Sequence, residues 1–191
     1  MRQRFNFVFE VEDQRDWQNA CPRNPFSCFF CHLLKVLKVE SVLDLTYGVG
    51  SFYENCQQVD ITAVDIVQRE WIVKPRQFFR MDALQFLRSF DGKVDAVVLD
   101  PPFPTKPSQR IERRNYLYEG YMPFHEIITI IKLAKTKARY TILKYMPDTQ
   151  QLIELLKLSP RYVISWRFVA GRFATNEHTI FVRNSTKLFI Y

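Results

Sequence analysis

The sequence predicts an α/β protein built on a mostly parallel sheet of seven strands, with helices on both faces and the last strand antiparallel. Three observations lead there. Short apolar runs of strand character alternate with helix-periodic segments almost from end to end, the pattern of a sheet covered on both sides. At 191 residues and 47% apolar the chain can fill one good core. Glycine is scarce (5 residues) while aromatics reach 15%, which argues against disorder.

The elements follow in order. Asn24-Pro25 opens a helix whose apolar stripe, Phe26, Phe29, Phe30, Leu33, Leu34 and Leu37, recurs at helical spacing. Ser41–Leu45, Val59–Ile66, Gln77–Asp82 and Val94–Asp100 read as short apolar strands. Between the last two lies a small helix, Ala83–Phe90, ended near Asp91-Gly92. Phe124–Lys135 is a second clear helix, with Pro123 suited to its first turn and Phe124, Ile127, Ile128 and Ile131 on one side. Arg139–Tyr145 is a strand, and Asp148 with Gln151 forms a capping-box signature for a helix running through Leu158. Tyr162–Val169 and His178–Arg183 close the sheet around Gly171. No repeat or linker interrupts this, so we expect a single domain over residues 1–191: an extension at 1–23, a core at 24–183 and a tail at 184–191.

Charge narrows the class of partner. Twenty-seven Lys and Arg against 20 Asp and Glu give a net +7, which points to an anionic partner, nucleic acid above all. No apolar run reaches the roughly eighteen residues a membrane span needs, and Met1-Arg2-Gln3-Arg4 opens no signal peptide, so the expectation is a soluble cytoplasmic protein. The four cysteines, Cys21, Cys28, Cys31 and Cys56, are too few for a disulfide scaffold and read as scattered thiols. Cys28-Phe29-Phe30-Cys31-His32 matches a haem-attachment string, and with Cys21 it could make a zinc set, but neither is our expectation: no metal is predicted.

The most informative segment is Asp100-Pro101-Pro102-Phe103, at the tip of an apolar strand. The prolines lack N–H donors and fix φ, so the turn presents carbonyl acceptors in a set direction. Phe103 adds a flat face for a heteroaromatic ring. An exocyclic amino group needs acceptors for two hydrogens and a stacking platform, and this tetrapeptide has both. A second segment, Asp44-Leu45-Thr46-Tyr47-Gly48-Val49-Gly50, is a strand running into a glycine turn, where backbone can approach a ligand closely. A dinucleotide fingerprint fails, because its third glycine would fall at Tyr53. The next strands end in Asp65-Ile66 and in Asp82-Ala83. Singly, each acid is equally well a helix cap or a surface turn; together they suggest one cleft at the strand ends.

With these motifs the sequence resembles the class I S-adenosylmethionine-dependent methyltransferases, in particular the amino-group methyltransferases of nucleic acid bases, from about Asn24 to Arg183. Leu45 and Thr46 stand where that family often has Pro and Phe. The resemblance implies a Rossmann-like sheet and S-adenosylmethionine as cofactor. It implies that the glycine segment (Asp44, Thr46, Tyr47, Gly48, Gly50) holds the methionine part, with Asn24-Pro25-Phe26 closing over its carboxylate end. It further implies that Asp65 with Ile66 binds the ribose, Asp82 with Ala83 the adenine, and Asp100 with the Pro101 carbonyl the target amine.

Behind that slot, Lys106, Arg110, Arg113 and Arg114 are interleaved with Tyr116, Tyr118 and Tyr121. Phosphate contact with stacking is one reading and a solvated connector the other; the position favours the first. The element is small, which leaves room for a partner chain or a second copy to add recognition. Lys144 is either a substrate contact or a packing residue. His125 and His178 read as ordinary surface or strand residues, and Trp166 as packing. Two rivals remain open: methylation of a protein amide or amine, and a non-catalytic subunit that binds RNA or a partner.

Overall fold

A computed structural model describes residues 8–101, 122–170 and 174–184. They form one eight-stranded sheet. Its strands are β1 (Val8–Asp13), β2 (Ser41–Asp44), β3 (Asp60–Asp65), β4 (Gln77–Arg80), β5 (Val94–Leu99), β6 (Ala138–Tyr145), β7 (Tyr162–Ala170) and β8 (Ala174–Asn184). The order across the sheet is β1-β7-β8-β6-β5-β2-β3-β4. Strand β8 runs antiparallel to both neighbours, β6 and β7, and every other pairing is parallel.

All seven expected strands are present, and β1 is an eighth. It comes from the stretch read as an N-terminal extension, and it pairs with β7 from Val8↔Tyr162 to Asp13↔Arg167. Val8, Phe9 and Val11 are all exposed, so the apolar–polar alternation of Phe9-Glu10-Val11-Glu12, a strand signal the sequence reading passed over, buries no face of this edge strand. A short helix, α1 (Gln14–Gln18), follows, capped by the Asp13 side chain.

Helix α2 (Pro25–Val36) begins where expected, because Asn24 caps it through the Ser27 N–H at 3.1 Å and Pro25 has no N–H to satisfy. Its stripe of Phe29, Phe30, Leu33 and Leu34 is buried against β2, β3, β5 and β6 residues such as Val42, Ala63, Val98 and Ile142. The other face carries α3 (Ala83–Ser89), α4 (Phe124–Ala134) and α5 (Thr149–Lys157), whose Leu87, Ile127, Ile130 and Leu155 pack on Leu43, Val64, Val97 and Leu143. Alternate residues of the central strands thus feed two cores. Pro123 occupies the N-cap of α4 rather than its first turn, and Ile130, not Phe124 or Ile128, completes the fully buried side. The capping box of α5 has both halves: Gln151 N–H to Asp148 Oδ1 at 2.8 Å and Asp148 N–H to Gln151 Oε1 at 3.1 Å.

The cysteines correct the sequence reading. Cys21 pairs with Cys28 and Cys31 with Cys56, so the residues opposite the α2 stripe are bridged rather than scattered. The reason is topological: the segment before α2 and the turn after β2 both return to the helix flank that carries Cys28 and Cys31. Among the described residues, no cluster of three or more His, Cys, Asp or Glu is arranged to hold a metal ion, and no helix is long and apolar enough to cross a membrane.

Candidate active site

Strands β4, β3, β2 and β5 are parallel neighbours, so their C-terminal ends share one edge of the sheet. The order of strand addition reverses between the parallel neighbours β2 and β5: the segments after β2 build outward through β3 and β4, those after β5 through β6. In open α/β sheets, ligands bind at such a switch point. Asp44 ends β2, Asp65 ends β3, Asp82 follows β4 and Asp100 follows β5. The four acids therefore lie along one edge.

Asp44 is the most enclosed, 3% exposed. Its Oδ1 accepts the Thr46 N–H at 2.9 Å and its Oδ2 accepts the Tyr53 hydroxyl at 2.7 Å. Burial raises its pKa to about 7 despite those two hydrogen bonds, and the neighbouring Asp100 and Asp65 charges add to the rise. Burial and the same carboxylate hold the Tyr53 hydroxyl protonated. Tyr53 sits where a third glycine is missing. Its buried ring stacks on Tyr47 at 5.7 Å, and the Tyr47 hydroxyl donates to the Val73 carbonyl at 2.7 Å.

The turn between them needs its glycines. Gly48 (φ +59°) and Gly50 (φ +77°) are left-handed, and a Cβ on Gly50 would lie 2.8 Å from the Val73 carbonyl oxygen. A Cβ on Gly48 would meet no atom within 4 Å, so the backbone there faces open space. The Gly48 N–H donates to Asp65 Oδ2 at 2.8 Å and the Val67 N–H to Oδ1 at 3.0 Å, fixing the Asp65 carboxylate against the turn. Ile66 beyond it is exposed, and its carbonyl accepts from Arg80 Nε at 3.2 Å.

Asn24 ties the start of α2 to the same turn: its Nδ2 donates to the Ser51 carbonyl at 2.8 Å and to Glu54 at 2.9 Å. Phe26 packs on Phe52 (4.8 Å between centroids) and edge-on to Trp166 (5.2 Å). Pro25 is buried at the first position of the helix. Asp82 caps α3 through the Gln85 N–H at 2.9 Å, as the plainer reading allowed, and Ala83 contributes its side chain to the core beneath.

Asp100 is held from two sides. Its N–H donates to Thr46 Oγ1 at 2.6 Å, and Lys144 Nζ lies 3.1 Å from each of its carboxylate oxygens. The register explains the pair: Leu99 of β5 stands opposite Leu143 of β6, which brings Asp100 and Lys144 alongside. Burial raises the Asp100 pKa, and the Lys144 ammonium opposes the rise. Pro101 is described and buried; Pro102, Phe103, Lys106, Arg110, Arg113, Arg114 and Tyr116 lie outside the described residues.

The structure thus brings together Asn24, Phe26, Asp44, Thr46, Tyr47, Gly48, Gly50, Asp65 and Asp100. Sequence reasoning missed Phe52 and Tyr53 and left Lys144 open. A cation inside an otherwise apolar strand, beside the strand that carries Asp100, was the available signal for the last.

No family model matches the sequence, and no curated protein matches it. Solved structures do. Thermoplasma acidophilum protein 1320 superposes with a TM-score of 0.57 at 16% identity, over 90% of this chain and 95% of that one. A proposed RNA methyltransferase from Pyrococcus horikoshii gives 0.58 at 12% identity, over 90% and 98%. A proposed methyltransferase from Streptococcus mutans, solved with SAH, gives 0.50 at 11% identity, over 78% and 92%. The chain has the Rossmann-like methyltransferase fold. Within it, β1 is the strand beyond the expected seven, and the four acids occupy the edge on which such sheets bind their ligands.

Proposed function

We propose that this chain is an S-adenosylmethionine-dependent N-methyltransferase acting on an exocyclic amino group of a base in DNA or RNA, adenine N6 foremost. The observation that carries the reading is the position of Asp100-Pro101 at the switch point, one strand from the Asp44–Gly50 turn and joined to it by the Thr46 hydrogen bond. The neighbour solved with SAH and the neighbour described as an RNA methyltransferase support it. So do the net charge of +7 and the basic, aromatic stretch after Phe103.

The residues fit such a cofactor. Gly48 leaves open space where a side chain would stand, Asp65 is fixed at the end of the next strand, and the acids suit a cationic ligand. When bound, S-adenosylmethionine would supply an electrophilic methyl group. Asp44, Thr46, Tyr47, Gly48 and Gly50 would hold its methionine end beneath Asn24-Pro25-Phe26, Asp65 and Ile66 its ribose, and Asp82 and Ala83 its adenine. The rest is orientation. Asp100 and the Pro101 carbonyl accept the two amine hydrogens, which draws the nitrogen toward sp3 and frees its lone pair. Pro102, its φ set by its ring, would direct the chain beyond Pro101, and Phe103 would stack on the base, contributing about 1–3 kcal/mol. Lys106, Arg110, Arg113, Arg114 and Tyr116 contact the nucleic acid. We take residues 1–191 as one methyltransferase domain, with a partner chain or second copy adding recognition.

Labelled methyl transfer to separated DNA, RNA and protein fractions, followed by nucleoside analysis, tests this. Label on a base amino group is expected. Label confined to protein would replace the reading by amide or amine methylation. Asp100→Ala should abolish transfer while cofactor affinity, measured calorimetrically, stays within about threefold; full activity in that variant would remove Asp100 from its assigned role.

A further inference from the structure

Lys144 is more than a partner that happens to neutralise a buried acid. Its ammonium is shared evenly between both Asp100 oxygens, 3.1 Å to each, and the side chains of the pair are 14% and 19% exposed. The same nitrogen lies 5.3 Å from the Phe26 ring centroid and 5.1 Å from that of Phe52. Those rings come from the start of α2 and the turn after Gly50, the elements assigned to the cofactor. A single cation therefore touches the acceptor acid on one side and the cofactor-side aromatics on the other.

We propose that Lys144 is a positioning residue that keeps the Asp100 carboxylate ionised and oriented to accept from the target amine; this rests on the methyltransferase reading above. An ionised carboxylate offers about four acceptor sites, so two bonds from Lys144 leave room for an amine hydrogen. A protonated carboxyl would instead point a donor at an amine that must itself donate. The surroundings of Asp100 press toward that protonated form. Burial does so, while Asp44 beside it, itself raised to about 7, and the Tyr53 hydroxyl, held protonated, bring no positive charge to offset it. Among the described residues, Lys144 from β6 is the opposing charge. The two aromatic faces favour a cation at that point and resist its displacement.

The test compares wild type with Lys144→Met, Lys144→Gln and Lys144→Arg. If Asp100 must be ionised, transfer rises with pH through its pKa. Lys144→Met should then move the acidic limb of the kcat profile up by at least about one pH unit, lowering kcat about tenfold on the acidic side of that limb, with recovery at higher pH. Lys144→Arg should restore the wild-type limb, and Lys144→Gln serves if the Met variant does not fold. Cofactor affinity should change by less than about threefold in each. An unmoved limb in the Met or Gln variant, or a loss that higher pH does not recover, overturns the proposal. The Asp100 carboxyl 13C shift, titrated in the protein alone, separates this claim from the functional reading. A higher midpoint in Lys144→Met supports the pairing even if no methyl transfer is found, and an unchanged midpoint refutes it even if transfer is.

Discussion

Asp44 is fully enclosed yet carries an ionisable group, and that has a thermodynamic consequence. Its pKa is raised from an ordinary carboxylate value to about 7 in the folded chain, so the native state binds more protons than the unfolded state between those limits. Stability from this group is complete below the unfolded pKa and is lost as pH rises through the folded one. Asp100, also raised, contributes in the same direction. Denaturant titrations should show stability falling from about pH 4 to pH 7, with Asp44 responsible for up to about 1.4 kcal/mol per pH unit. Asp44→Asn, which keeps an acceptor for the Thr46 N–H, should flatten that slope; an unchanged slope would mean that the carboxyl is not buried as described. The sequence marked Asp44 as part of a glycine motif but carried no sign of its burial, because Tyr53, nine residues on, covers it through a contact set by the turn. Asp65 and Asp100 were legible because their place at strand ends follows from the strands themselves. Lys144 was not, since its partner comes from a different strand and depends on register.

At the scale of elements, periodicity and capping chemistry located α2, α3, α4 and α5 within a residue or two, because those signals are local. Strand β1 was passed over although Phe9-Glu10-Val11-Glu12 alternates apolar and polar; its apolar residues are exposed, and pairing with β7, about 150 residues away in sequence, is what holds it. Two variants check the elements that build the site. Gly50→Ala should destabilise the chain by about 1–3 kcal/mol, since the backbone is left-handed there and the new Cβ meets both the Tyr47 phenol, itself hydrogen-bonded to Val73, and the Val73 carbonyl. Leu34→Ala, which empties the middle of the α2 stripe, should cost about 2–5 kcal/mol. Thermal or urea denaturation reads both, and a neutral Gly50→Ala would show that the turn does not hold the left-handed backbone.

Over the whole molecule, the alternation of elements foretold the sheet and its antiparallel closing strand, while the cysteines did not foretell their pairing. Four thiols spread over 36 residues have no local signature of which will meet; the return of the chain onto α2 decides it. Thiol titration of denatured, unreduced protein should find none of the four free, and reduction should lower stability, with the 25-residue Cys31–Cys56 loop accounting for about 3.5 kcal/mol on a chain-entropy basis. The fold places the row of acids along one edge of the sheet, where its parallel strands end. Calorimetric titration with S-adenosylmethionine tests that edge as the ligand site most directly. One site per chain, weakened at least about tenfold by Asp65→Ala and little changed by Asp100→Ala, is the expected result. No binding by the wild type, or binding indifferent to Asp65, would contradict it.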